Sequence, residues 1–126
     1  MTTPSLPLAS AFHHVSITVK NLDVALPFYR EVFAFPERPR LNEGASQNRG
    51  AWLVVNTLEL HLQERPAAAV PLNDQHFGLW TEHFDEIVNR VRALGGRVQE
   101  ARLLDGLSRR CFVYDLDGNK IELLQR

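Results

Sequence analysis

Four side chains in this 126-residue chain have the types and spacing of a divalent-metal site. His14 opens the run HVSITV, and His76 stands in QHFGLW, 62 residues later. Glu59 lies in TLELHL, and Glu122 in NKIELL, 63 residues later. Two neutral imidazoles and two carboxylates hold a divalent cation with no net charge. They leave about two places of a six-coordinate shell for water or a substrate bound through two atoms. A site left open in this way is catalytic in kind, not structural. Without a cation, the same face would crowd two carboxylates together, which is costly.

Strand alternation puts these groups on one face. His14 shares its side with Ser16 and Thr18, while Val15, Ile17 and Val19 point the other way. Glu59, His61 and Gln63 oppose Leu58, Leu60 and Leu62; Lys120, Glu122 and Leu124 oppose Ile121 and Leu123. His13 therefore falls on the outer side. His61, on the face of Glu59, is open to three readings: a ligand, a substrate contact or a pocket filler. Trp80 shares the face of His76, and His83 reads as helix surface.

The elements that must position them repeat. After HVSITV, Asn21 and Asp23 offer helix caps, and Leu22, Leu26, Tyr29 and Phe33 form an amphipathic stripe. Pro27 requires the helix to start within a few residues of it, near Leu22. ERPRLN reads as a short edge strand interrupted by Pro39, NEGASQNR as a loop, and GAWLVVNTLELHLQE as two strands joined at Asn56-Thr57. RPAAAVPLND is a linker. Then QHFGLW is a strand and TEHFDEIVNRVRALGG a helix, with Thr81 as N-cap and Gly95-Gly96 as its stop. RVQEARL is a strand, LDGLSRR a loop, and CFVYDLDGNKIELLQ a hairpin. Each half reads β-α-β-β-β. This predicts an α+β fold of two tandem modules in one domain over residues 1–126: module one over about 12–64, a linker over about 65–74 and module two over about 75–126.

A formal charge of −1 speaks against a nucleic-acid surface, and the basic stretches at 38–42 and Arg109-Arg110 read as solvated surface. The single cysteine, Cys111, sits in an apolar run and reads as a core residue. No window approaches the roughly 18 apolar residues of a membrane span. The first dozen residues lack the pattern of a secretory leader, which predicts a cytoplasmic protein.

The segments HHVSITVKNLDVALPFYREVFAF, GAWLVVNTLELHLQE, QHFGLW and FVYDLDGNKIELLQ together resemble the vicinal oxygen chelate superfamily. Its members include glyoxalase I, bleomycin-resistance proteins, methylmalonyl-CoA epimerase, fosfomycin-resistance enzymes and extradiol dioxygenases. The resemblance implies two βαβββ modules curling into a partly closed, barrel-like sheet. It implies one divalent metal per site (Ni, Co, Zn, Mn or Fe) on His14, Glu59, His76 and Glu122, and a homodimer whose sites draw on one chain or two. It further implies glyoxalase-like lyase or isomerase chemistry on a small substrate chelated through adjacent oxygens, by way of an enediolate-type intermediate. Glu122 or Glu59 would move the proton, with Ser16, Thr18, His61, Gln63, Trp80 and Arg110 shaping the substrate pocket and NEGASQNRG serving as a lid. The alternatives are an extradiol-type dioxygenase and a metal-free protein that binds a small molecule or antibiotic.

Departures narrow the range. The family's helix usually ends in Leu-Gly, where this chain has Phe33-Ala34, and Leu116 replaces a turn proline. Thr18 stands where glyoxalases place an arginine for glutathione, and Gln63 where they place an asparagine, which argues against glutathione hemithioacetal. ARLLDGLSRR keeps only Ser108 and arginines of the Lys/Ser-rich loop of fosfomycin enzymes, which argues against that activity.

Overall fold

In the computed structural model, which describes residues 6–39, 49–72, 74–101 and 109–126, the first element is β1 (His14–Val19). Its alternation is as read: Val15, Ile17 and Val19 are covered to differing degrees, while His14, Ser16 and Thr18 are exposed. Helix α1 (Leu22–Phe33) follows. Asn21 caps it, its side chain accepting from the Asp23 N–H at 2.9 Å. Pro27 lies inside the helix and removes one backbone donor. The buried stripe is Leu22, Ala25, Phe28, Tyr29 and Val32, with Leu26 and Phe33 only flanking it. Its centre is thus displaced from the expected one, toward Phe28 and Val32, which are buried in the core.

β2 (Glu37–Arg38) is two residues long, with Pro39 directly after it. β3 (Gly50–Val55) and β4 (Leu58–Glu64) form the expected hairpin about Asn56-Thr57, and Asn56 adopts φ +56°, the left-handed region that asparagine tolerates. Residues 65–72 carry no helix or strand. The second half gives β5 (His76–Thr81), α2 (Phe84–Ala93), β6 (Arg97–Glu100), β7 (Arg110–Tyr114) and β8 (Lys120–Gln125). Thr81 does not cap α2. It ends β5, and its hydroxyl accepts from the His83 N–H at 2.8 Å, so His83 becomes the residue before the helix.

Each half makes one four-stranded sheet, ordered β1-β4-β3-β2 and β5-β8-β7-β6. In both, the first strand runs parallel to the last, and the remaining pairs are antiparallel. This is the α+β architecture that the duplication predicts. β1 and β5 are open edges, so the barrel-like wall is only partly closed. α1 lies on the first sheet, α2 on the second, and the helices touch each other. One core therefore spans both modules; Leu53, Leu62, Ile121 and Leu123 are fully buried in it, each contributing roughly 1.5–3 kcal/mol. Cys111 is buried there as expected, and burial pushes its thiol up to about 11.

The modules are joined by polar bonds as well. The Tyr29 hydroxyl donates to Asp115 at 2.7 Å. Asn119 donates to the Thr18 carbonyl at 2.9 Å, and the Lys20 N–H to Asp117 at 2.9 Å. No described helix is long and apolar enough to cross a membrane.

Candidate metal centre

The face of each sheet turned away from its helix carries the polar residues, and the register sets them in rows. On the first sheet, Arg38 pairs with Trp52, Trp52 with His61, and His61 with Ser16. Glu59 lies in the next row, opposite His14 and Val54. The side chains stack along these rows. The Arg38 guanidinium lies 4.4 Å from the Trp52 ring centre, Trp52 stacks on His61 at 4.7 Å, and His61 on His14 at 4.2 Å.

Glu59 is held from two sides. Arg38 Nε and Nη2 donate to its two oxygens at 2.6 and 2.9 Å, a bidentate fork. His61 Nε2 lies 2.9 Å from Oε1. Arg38 and then His61 draw the Glu59 carboxyl down from 4.5 to about 2, so it is ionised and accepts only. His61 Nε2 must therefore carry the hydrogen, leaving the lone pair on Nδ1. His61 is buried, and burial holds its pKa below the ordinary value, in favour of the neutral ring.

On the second sheet the corresponding row is Gln99, Phe112, Glu122 and Gly78, and the next is Arg97, Tyr114, Lys120 and His76. His76 Nδ1 donates to the Asp74 carbonyl at 2.8 Å, which leaves Nε2 as the free donor atom. That atom lies 3.8 Å from Glu122 Oε2, and Arg110 reaches the other oxygen, Oε1, at 3.2 Å. Neighbouring donors on one ion with bonds near 2.1 Å sit about 3.0–3.5 Å apart, so His76 and Glu122 would have to close by a few tenths of an ångström to share a cation. The ring of Phe112 packs edge-on against His76, and Lys120 lies over it.

The two pairs do not meet within the chain. Among the described residues, no three His, Cys, Asp or Glu side chains are grouped so as to hold a metal ion. The reason is the packing of the modules. Asn119, next to the partner of His76, grips Thr18 at the far end of β1. His14 lies four residues back, about 13 Å along the strand. A cleft of about 520 Å3 separates the two edges, with Ser16, Thr18, His76 and Lys120 among its lining residues.

Of the expected pocket residues, Ser16 and Thr18 face this cleft, and Gln63 sits in the row between Gly50 and Thr18. Trp80 is 57% exposed beneath the Arg126 guanidinium, and Arg110 is bonded to Glu122. The proposed lid is described only from Arg49 onward, and Ser108 lies outside the described residues. The residues not anticipated are Arg38, read as solvated surface, and Trp52 and Phe112. The hairpin register held the signal: a residue of the third strand falls opposite His61 or Glu122.

Comparison with known proteins identifies the family and the fold. The family model of the Glyoxalase/Bleomycin resistance protein/Dioxygenase superfamily matches residues 11–123. The fosfomycin resistance protein FosX of Listeria monocytogenes is 24% identical over 119 residues, covering 92% of this chain and 90% of that protein. A Listeria FosX variant solved with Mn(II) and 1S,2S-dihydroxypropylphosphonic acid superposes with a TM-score of 0.73 at 22% identity, over 94% of this chain and 93% of that one. A Bacillus anthracis structure assigned to the glyoxalase family gives 0.79 at 21% identity, over 97% and 99%. At these identities the structures speak for the fold, and the family match spans nearly the whole chain. The protein belongs to the Glyoxalase/Bleomycin resistance protein/Dioxygenase superfamily, the vicinal oxygen chelate proteins.

Proposed function

We propose that the chain is a cytoplasmic, divalent-metal-dependent enzyme acting on a small substrate through two adjacent oxygens, with lyase or isomerase chemistry. We further propose that two copies build each site, His14 and its β4 neighbours coming from one and His76 with Glu122 from the other. The observation that carries this reading is the His76–Glu122 pair, with one imidazole nitrogen tied back to Asp74 and the other facing a carboxylate oxygen 3.8 Å away on an exposed sheet face. His14 lies on the other open edge, and a symmetric dimer brings two such complements together twice.

His14, His76 and Glu122 would hold a divalent cation there (Mn, Fe, Co, Ni or Zn), which would supply electrophilic stabilisation of two adjacent substrate oxygens. Glu122 is the carboxylate placed to take a proton from the substrate. Glu59, drawn down to about 2 by Arg38, is a poor base. Ser16 and Thr18, which line the cleft, would meet the substrate from one side, and His61, Gln63, Trp80 and Arg110 would reach it only as the two copies come together. Elemental analysis of untagged protein beside His76→Ala tests the reading. About one transition metal per site, lost in the variant, supports it. Wild type that neither holds nor acquires metal after reconstitution overturns it and leaves a binding protein.

A second reading rests on the FosX match over nine-tenths of both chains. On it, the substrate is a phosphonate with adjacent oxygens, its acid group near Arg110 and Lys120. Consumption of fosfomycin with Mn(II), followed by phosphorus NMR, would favour this reading, and an unchanged spectrum would return the weight to the first.

A further inference from the structure

We infer that His61, not Glu59, is the side chain that β4 supplies to the metal centre, and that Arg38 and Glu59 act as a positioning pair fixing its ring. This rests on the metal-dependent reading above and specifies its ligands. The first observation is the molecule's internal symmetry. In the second module, the residue opposite Glu122 on β5 is Gly78, two after His76. In the first module, the residue two after His14 is Ser16, and its partner is His61. The antiparallel neighbours agree: Phe112 lies opposite Glu122, and Trp52 opposite His61. Glu59, opposite His14, corresponds instead to Lys120, opposite His76. The 63-residue spacing of the glutamates therefore does not mark equivalent places.

The second observation is the hydrogen-bond pattern. A metal-bound imidazole generally donates its other N–H to a carboxylate or carbonyl, which fixes ring and tautomer. His76 does so toward the Asp74 carbonyl, 2.8 Å away. His61 does so toward Glu59 at 2.9 Å, leaving the Nδ1 lone pair unprotonated. Glu59 in turn has both oxygens engaged by Arg38. A carboxylate neutralised by a bidentate guanidinium is a poor metal ligand and a good anchor. Trp52 stacked on the far side of the ring completes the seat. His14 is exposed at the end of β1 with its Nδ1 3.0 Å from His13 Nδ1, so its Nε2 is the atom left for a shared ion, whereas His61 is buried between Trp52 and His14. The donor set becomes His14, His61, His76 and Glu122, and its third imidazole shifts preference toward Fe, Co, Ni or Zn and away from Mn.

Co(II) titration of the metal-free dimer tests this. Proton NMR of the wild-type Co(II) protein should show three exchangeable, strongly shifted imidazole N–H signals; two would overturn the inference. His61→Gln should remove one signal and weaken Co(II) binding at least 100-fold, whereas Glu59→Gln and Arg38→Met should weaken it about tenfold and keep all three. Arg38→Met is the sharper variant, because freeing Glu59 would tighten Co(II) if that carboxylate were the ligand, and tightening would overturn the inference. Wild type that binds no Co(II) would instead overturn the metal-dependent reading itself, so the two failures are distinguishable.

Discussion

At the scale of single residues, the two glutamates that look alike in sequence are made different by their neighbours. Glu122 keeps one oxygen toward His76, so Glu122→Gln should lower turnover by at least 100-fold with little change in fold, measured as kcat beside circular dichroism. Near-wild-type kcat would remove it from the proton-transfer role. Glu59 is bound by Arg38 and His61, with its carboxyl lowered from 4.5 to about 2. A carboxyl lower in the folded than in the unfolded state contributes stability above its unfolded value, and that contribution fades as pH falls through the folded one. Metal-free Glu59→Gln should accordingly be less stable than wild type at neutral pH. In urea denaturation at a series of pH values, the gap should close between about 4.5 and 2. The residue types were legible in the chain, but their partners were not. Arg38 and Glu59 are 21 residues apart, and only the β2–β3–β4 pairing brings them together.

At the scale of elements, two backbone positions carry requirements that can be tested. Ala34 ends α1 at φ +57°, in the left-handed region where a side chain is strained, and its N–H bonds the Arg30 carbonyl at 2.9 Å. Ala34→Gly should raise stability by about 1 kcal/mol, checked by thermal denaturation. The Gly95-Gly96 stop divides its work. Gly95 takes φ +85°, whereas Gly96 is needed for space: a Cβ there would lie 2.7 Å from Val91 and 2.8 Å from the Tyr114 carbonyl. Gly96→Ala should lower stability by about 1–3 kcal/mol in the same measurement, because backbone and core must both shift. Element order and the hairpin at Asn56-Thr57 were readable from alternation and turn chemistry, which are local. The displaced stripe of α1 and the start of α2 were not, since packing of helix on helix and the length of β5 decide them.

At the scale of the whole molecule, the packing of the modules sets His76 in the chain's own cleft with Ser16 and Thr18, while His14 lies outside the cleft lining. If sites form between copies, mixing the His14→Ala and His76→Ala proteins and allowing subunits to exchange should restore metal to about one site in four, since half the dimers are mixed and each has one intact site. Each variant alone should bind none. If each chain holds its own complete site, mixing restores nothing; metal analysis of the exchanged sample decides. Sequence duplication gave the inventory of donors but not this separation, which depends on Asn119 reaching Thr18 across 101 residues.

The Arg38–Glu59 ion pair has a consequence for the history of the fold. A tandem duplication begins with halves that can replace each other, and a pair of identical halves can then build the same symmetric centre. Here the halves have specialised. One offers an imidazole wired through a carboxylate to a guanidinium, and the other an imidazole beside a carboxylate with an arginine at its far oxygen. Two first halves would face each other with no uncommitted carboxylate, and two second halves with a surplus of them. The two halves are therefore no longer interchangeable: neither one, doubled, would supply the same set of side chains.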